Sequence, residues 1–476
     1  MLRMSKQVKH LLSQFKPEHY ILSLHPDKKT MTFKGAVTIT GQKVGRPSNR
    51  LTFHQKDLKV TSAVVKRTGK QPKEFKVDRL NTHAAYDEVR LHTTDTLYPG
   101  QYEIVLEFKG KITDLMNGLY PSRFQLDGKD EIILGTQFES HHAREVFPCI
   151  DEPAAKATFD LSLVSPKDEV VIANTPIKSQ KADGKLLFTT FETTPVMSSY
   201  LLAFVIGKMK HKEAKTKHGV TVRAYATPDK IAQVDFALDV AIKTLDFYDE
   251  YFAISYPLEK CDMVALPDFA SGAMENWGCV TYREHCMLVD EKNTSLPTKQ
   301  YVAMVVAHEL AHQWFGNLVT MRWWTDLWLN EGFASWIEYL AVDHLFPEWN
   351  MWTQFIVDEQ QTAMKLDALE NTHPIEAPIN HPDEIRTIFD NISYHKGASV
   401  IHMLHEYLGP TAFRDGLRYY LEKHQYGNTD TVDLWAALEE ISHKPVKDFM
   451  HNWTTLSGFP LLRVDVTNKH VELHQE

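Results

Sequence analysis

VVAHELAHQWFGN, Val305 to Asn317, sets His308 and His312 four residues apart with Glu309 beside the first. Four residues make about one helical turn, so on a helix both imidazoles project to one side and can reach one ion. The same spacing suits an amphipathic core helix whose two histidines are hydrogen-bonded inside the protein. The bare pattern does not choose between these readings, so its surroundings must. Val302, Val305, Val306 and Ala307 make the helix strongly apolar, and polar groups on it need compensation. Downstream, LNEGFASWIEYL (329–340) is a second helical pattern with Glu331 near its start. Two imidazoles and one carboxylate leave a fourth position for water, the arrangement of a catalytic rather than a structural zinc.

The chain has 476 residues, a size that corresponds to about three domains. A hydrophobic share of 43% with 24% charged residues permits a sizeable core and argues against wholesale disorder. Lys and Arg number 52 against 62 Asp and Glu, a net charge of −10, which argues against a nucleic-acid partner. Cys149, Cys261, Cys279 and Cys286 form no CxxC pair and fit no disulfide framework, so they read as buried thiols in a reducing compartment. The basic opening MLRMSKQVKHLLSQFK lacks the continuous apolar core of a signal peptide. No apolar run of about 18 residues suggests a membrane span. The expectation is a cytoplasmic enzyme, and no motif sets an oligomeric state.

The first two hundred residues read as β. MTFKGAVTIT (31–40), QYEIVLEFKGKI (101–112) and ATFDLSLVSP (157–166) alternate apolar and polar residues between turn signals such as TLYPGQ (96–101). An antiparallel, sandwich-like β domain over 1–210 is expected. HKEAKTKHG (211–219) is polar and reads as a linker or a hairpin loop. Ile231, Val234, Leu238, Ile242 and Leu245 then recur at helical spacing. From about 296 the pattern is mostly helical, as in ASVIHMLHEYL (398–408) and VDLWAALEEI (432–441), giving a second domain over 211–458. FPLLRVDVTNKHVELHQE (459–476) returns to strand alternation around Thr-Asn-Lys and reads as the start of a small β domain, since two strands do not make an independent one.

HELAH followed after eighteen residues by Glu331 in NEGFA resembles the gluzincin metallopeptidases. DFASGAMENWG (268–278) narrows this: the chain resembles the aminopeptidase N family, whose signature GAMEN precedes the zinc helix. TQFESHHAREVFPCIDEPAAKATF (136–159) and DNISYHKGASV (390–400) match two further family segments in family order. The likeness runs from about His19 to the C-terminus. It implies a multidomain α+β protein: an N-terminal antiparallel β domain, a thermolysin-like, mainly helical catalytic domain, and the beginning of a small β domain.

The resemblance implies one Zn2+ per chain held by His308, His312 and Glu331. It makes Glu309 the group that takes a proton from the attacking water and returns it to the leaving amine. Tyr394 falls on the family tyrosine that donates to the tetrahedral oxyanion. Glu139 and Glu275 fall on the two acids that bind a substrate's free α-ammonium, an interaction carboxylates make through charge-assisted hydrogen bonds. Gln137 is expected beside them, at the first substrate residue. Gly272, Ala273, Met274 and Asn276 complete the GAMEN segment, whose small residues let a peptide approach as an added strand. Glu338, seven residues after Glu331 on the same helical face, is the candidate for orienting a ligating histidine. His141 and His142 read as loop residues. Trp314, Phe315, Trp323, Trp324 and Trp328 read as core packing.

The activity this implies is hydrolysis of the N-terminal peptide bond of peptides with a free N-terminus. A zinc endopeptidase is a rival that the two amine-reading acids oppose. A bifunctional epoxide hydrolase-aminopeptidase is opposed by Met274 and the TQFE segment. A third alternative is a weak or inactive peptide-binding fragment. Larger members of the family continue into a β domain and a long helical domain covering the active site, whereas this sequence stops after a first hairpin. The expected result is a more open cleft with weaker peptide-length selection, or low activity in the absence of the cover. The preferred first residue is not written in any one motif.

Overall fold

In the computed structural model, residues 8–69 and 71–475 are described, and residues 1–7 of the basic opening segment lie outside them. Alternating burial along Phe15–Asp27 and Gly100–Lys111 builds an eight-stranded sheet in the order 177–183, 186–191, 158–166, 15–27, 32–43, 100–111, 59–67, 73–75. The region is the expected β layer with one exception to antiparallel pairing. Phe15–Asp27 runs parallel to Thr158–Pro166, with Tyr20 opposite Phe159 and their rings stacked at 4.8 Å. Parallel neighbours need a long crossover, and the hundred-odd residues between these strands supply it. A three-stranded sheet (48–54, 88–97, 77–83) and a four-stranded one (170–173, 204–207, 129–137, 118–126) complete this part.

The polar segment after residue 210 is a hairpin rather than a linker. Lys210–Lys215 pairs antiparallel with Thr221–Ala226 and opens a five-stranded mixed sheet in the order 210–215, 221–226, 260–266, 279–283, 273–274. Its three central strands run parallel, with helix Asp235–Phe252 as the first crossover. Lys260–Leu266 is buried at every position, as a parallel strand covered on both faces should be. Ala273–Met274 forms the edge of this sheet.

Helices fill the remainder. Ser295 caps the helix Leu296–Ala311, its hydroxyl accepting from the Thr298 N–H (3.4 Å), and Pro297 sits in the first turn, where its missing N–H costs nothing. Helix Trp328–Leu345 packs beside it, followed by Gly397–Leu408, Pro410–His424, Thr431–Ser442 and Val446–Thr455. Helices Trp328–Leu345 and Gly397–Leu408 meet backbone to backbone. A Cβ placed on Gly332 would stand 3.1 Å from Gly397 Cα, and one on Gly397 would stand 3.0 Å from Gly332 Cα. Among the described residues no helix is long and apolar enough to cross a membrane.

The chain ends in a two-stranded antiparallel ribbon, Leu462–Val466 with Val471–Gln475. Leu462, Val464, Val466, Val471 and Leu473 share one face of it and are all exposed. Its other face carries Asp465 and His474, whose side chains approach to 3.3 Å.

Candidate metal centre and its acidic cleft

His308 lies in the last turn of helix Leu296–Ala311, His312 is its C-cap, and Glu331 lies in the first turn of helix Trp328–Leu345. The N-terminal end of a helix favours a carboxylate. The two Nε2 atoms are 3.0 Å apart, and each is 3.3 Å from Glu331 Oε2. Donor atoms about 2.0–2.1 Å from a tetrahedral zinc stand roughly 3.3 Å from one another, so the three groups fit a single ion of that size.

The outer nitrogens support the same reading. His312 Nδ1 donates to the Phe315 carbonyl (2.9 Å), an atom that can only accept. His308 Nδ1 donates to Glu338 Oε2 (2.7 Å). With both Nδ1 atoms protonated, both Nε2 lone pairs face the common point. Burial alone would lower the basicity of His308, but Glu338, Glu331 and Glu309 hold its pKa well above the usual imidazole value. His312 is raised by Glu275 and Glu331 against the same burial. Glu331 moves down, because the two imidazoles outweigh its own desolvation. The point between the three side chains therefore calls for positive charge. His402, His405 and Glu406 form another close group, but His402 Nδ1 accepts the Trp336 indole N–H (3.4 Å), so that lone pair is already used.

These residues form the base of a cleft of about 610 Å³, whose lining holds seven carboxylates and no lysine or arginine. Glu139, Gly272, Ala273, Glu275, Glu309 and Tyr394 all belong to it. Glu139 arrives from the β region, two residues past strand Lys129–Gln137. That strand's partner is docked on the loop before GAMEN. The Arg123 N–H donates to Asp268 Oδ2 (2.7 Å), the Asp268 N–H to Ser122 Oγ (2.8 Å), and the Tyr120 hydroxyl to the Asp268 carbonyl (3.2 Å). Asn174 Nδ2 also donates to the Trp277 carbonyl (2.9 Å). Gly278 has φ +75° and packs where a Cβ would collide with the Asn174 carbonyl, so the approach requires glycine. Beyond the metal helix, Gln313 Nε2 (3.2 Å) and Asn317 Nδ2 (2.9 Å) both donate to the Glu275 carbonyl.

Three other acids of the cleft differ from Glu331 and Glu338, which the histidines engage. Glu139 Oε1, Glu275 Oε1 and Glu309 Oε2 are buried and make no hydrogen bond among the described residues. Desolvation drives all three pKa values up, that of Glu309 to about 8. Tyr394 is also raised well above the phenol range, first by burial and then by the surrounding carboxylates, so it stays a neutral donor. Its ring stands 6.1 Å from that of His308, nearly parallel at 15°.

Three expected site residues stand behind the wall instead of lining it. Met274 and Asn276 are buried, with Asn276 Nδ2 donating to Thr281 Oγ1 (3.2 Å). Gln137 Nε2 reaches Met274 Sδ at 3.2 Å. Side chains alternate along an extended segment, so Ala273 and Glu275 face the cleft while Met274 and Asn276 face inward. Among the aromatic residues, Trp314, Phe315, Trp324 and Trp328 are buried and, like Trp323, do not line the cleft. His141 and His142 stack on each other at 4.9 Å, away from the metal group.

The sequence reading missed Tyr339, Glu359 and His395. All three line the cleft, where Glu359 accepts from the Tyr339 hydroxyl (3.1 Å) and pairs with His395 Nδ1 (2.6 Å). Glu359 and His395 sit in π-helical turns, Ile356–Gln360 and Ile392–Lys396. An extra residue in a turn breaks the helical period, and such turns are frequent at functional sites.

Fold and cleft define a protein with a His-His-Glu group that could hold a metal ion, set among carboxylates. The profile of the Peptidase family M1 domain matches residues 236–453, and that of the Peptidase M1 N-terminal domain matches residues 16–201. Aminopeptidase M1-A of Oryza sativa subsp. japonica is 47% identical over 460 residues, 96% of this chain and 52% of that protein. Aminopeptidase M1 of Arabidopsis thaliana is 46% identical over 462 residues, 96% and 52% of the two chains. Aminopeptidase N of Lactococcus lactis subsp. lactis (strain IL1403) is 44% identical over 476 residues, 98% and 54%. The chain belongs to peptidase family M1, the aminopeptidase N family. It spans about half the length of the curated relatives it matches.

Proposed function

We propose that this protein is a zinc aminopeptidase that hydrolyses the N-terminal peptide bond of peptides. One observation carries the reading: three carboxylates, Glu139, Glu275 and Glu309, each keep a buried oxygen without a hydrogen-bond partner among the described residues and share a cleft with a His-His-Glu group that could hold a metal. An acid desolvated without a cation is costly unless a cation arrives with the ligand. A free α-ammonium supplies it, and an N-blocked peptide does not.

His308, His312 and Glu331 would hold the zinc, which when bound would supply Lewis acidity to the scissile carbonyl and the attacking water. Glu139 and Glu275 accept the α-ammonium and fix which peptide bond reaches the metal. The unpaired edge at Gly272–Ala273 receives the peptide backbone as an extra strand. Glu309, one residue from a ligand, takes the proton of the attacking water and passes it to the departing amine. A carboxylate with its pKa raised is suited to both transfers. Tyr394 donates its hydroxyl hydrogen bond to the developing oxyanion. Gln137, Met274 and Asn276 act as buried supports of the wall. The four cysteines are unpaired and buried, which suits a reducing compartment such as the cytoplasm.

The test compares a peptide with its N-acetylated form, alongside zinc analysis. One bound zinc and release of the first residue from the free peptide alone are expected. Equal cleavage of both peptides would move the reading to an endopeptidase. Binding without release would move it to a peptide-binding protein.

A further inference from the structure

One buried ion pair in the helical region lies outside the cleft. Lys396 Nζ stands 2.7 Å from Asp367 Oδ2, and both side chains are buried. The same ammonium donates to the carbonyls of Leu456 (3.3 Å) and Gly458 (3.0 Å). An ammonium has three donors, and all three are used. Asp367 Oδ1 accepts from the Gly458 N–H (2.8 Å) and the Thr372 hydroxyl (3.0 Å). Three separate segments therefore meet at one point: the end of helix Gln361–Asp367, the π turn Ile392–Lys396, and the exit from helix Val446–Thr455.

Stability alone is a poor explanation for such a pair, because apolar residues of similar volume often serve as well. Its place in the chain offers a better one. Lys396 is two residues beyond Tyr394 on the same irregular turn, where the Lys396 N–H reaches back to the Asn391 carbonyl (3.0 Å). A π turn is a single wide turn that interrupts the α-helical register, so side-chain restraints at its two ends help to hold the residues between them. Asp390 restrains its start, accepting from the Ile392 N–H (2.9 Å), and Lys396 restrains its end.

We propose that Lys396 is a positioning residue that sets Tyr394 through this turn and, with Asp367, ties it to residues 456–458. The inference rests on the reading of Tyr394 as the oxyanion donor. Residues 456–458 lead directly into the terminal ribbon, so a displacement there is passed to Tyr394 and alters turnover more than substrate affinity.

The test measures kcat and KM for Lys396→Met and for Lys396→Met with Asp367→Asn, each in the native and the Tyr394→Phe backgrounds. The paired variant removes the charge that the single one would strand. Tyr394→Phe is expected to lower kcat by about 10²–10³-fold. In the native background the Lys396 variants should lower kcat by about 10–10²-fold with KM little changed. In the Tyr394→Phe background they should cost almost nothing further, since the group they position is gone. An unchanged kcat, or an equal loss in both backgrounds, overturns the proposal. Full activity of Tyr394→Phe instead overturns the oxyanion reading. Native-state hydrogen exchange on the unaltered protein needs no variant: the amides of Lys396 and Gly458 should open together, and independent opening overturns the coupling.

Discussion

The two ends of the cleft are built from the same residue type and treated oppositely. At the metal end, Glu331 and Glu338 are engaged by the histidines, and His312 is held by a backbone carbonyl. At the other end, which the proposed function assigns to the substrate amine and the attacking water, Glu139, Glu275 and Glu309 each keep a buried oxygen without a partner among the described residues. One end is organised within the protein, whereas the other is completed only by what enters it. Damage at the first should therefore show in ion affinity, and damage at the second in turnover of free-amine substrates.

The largest expected effect breaks the chemistry and leaves the metal end intact. Glu309→Gln should lower kcat by about 10⁴-fold while bound zinc, measured by elemental analysis, stays at one per chain. A near-normal rate on aminoacyl-anilide substrates would refute the mechanism. Next, Glu139→Gln or Glu275→Gln should lower kcat/KM by roughly 10–10²-fold, the worth of one hydrogen bond to a charged group, and narrow the gap between free and N-acetylated peptides. Loss of zinc from either variant would merge the two ends into one unit. At the other end, Glu338→Ala should weaken zinc by about 10–10²-fold in a chelator competition. Its kcat at saturating metal should change far less.

The smallest effect separates two glycines. A Cβ at Gly272 would meet nothing nearer than Cys286 Sγ at 3.7 Å, so Gly272→Ala should leave stability within about 0.5 kcal/mol in a denaturant titration. It should raise KM a few-fold, because the methyl occupies the peptide's approach. Gly332→Ala has backbone in its way and should cost stability as well.

The histidine pair was legible because helical spacing sets His308 and His312 on one side of one helix, whereas Glu331 lies on a second helix and its place as a ligand came with the family resemblance; Glu338 followed from the helical face it shares with Glu331. The β region was legible from alternation, but the parallel pairing of Phe15–Asp27 with Thr158–Pro166 was not, since no local pattern reports a partner so far along the chain. Met274 and Asn276 were assigned by membership of a motif, whereas strand alternation decides which of its side chains face the substrate. The Tyr339–Glu359–His395 chain was hidden by the π turns that create it, because a period of 3.6 passes over them.

The terminal ribbon has a consequence that is colloidal rather than catalytic. Its apolar side chains are 52–73% exposed, on a strand pair whose outer edges bond to no other strand among the described residues. Such a surface is a template for another copy of itself. In concentrated solution, self-association of this chain should begin there, and specific activity should then drift with protein concentration. Replacing Val464 with Thr and Leu473 with Lys would remove that drift without touching a residue of the cleft.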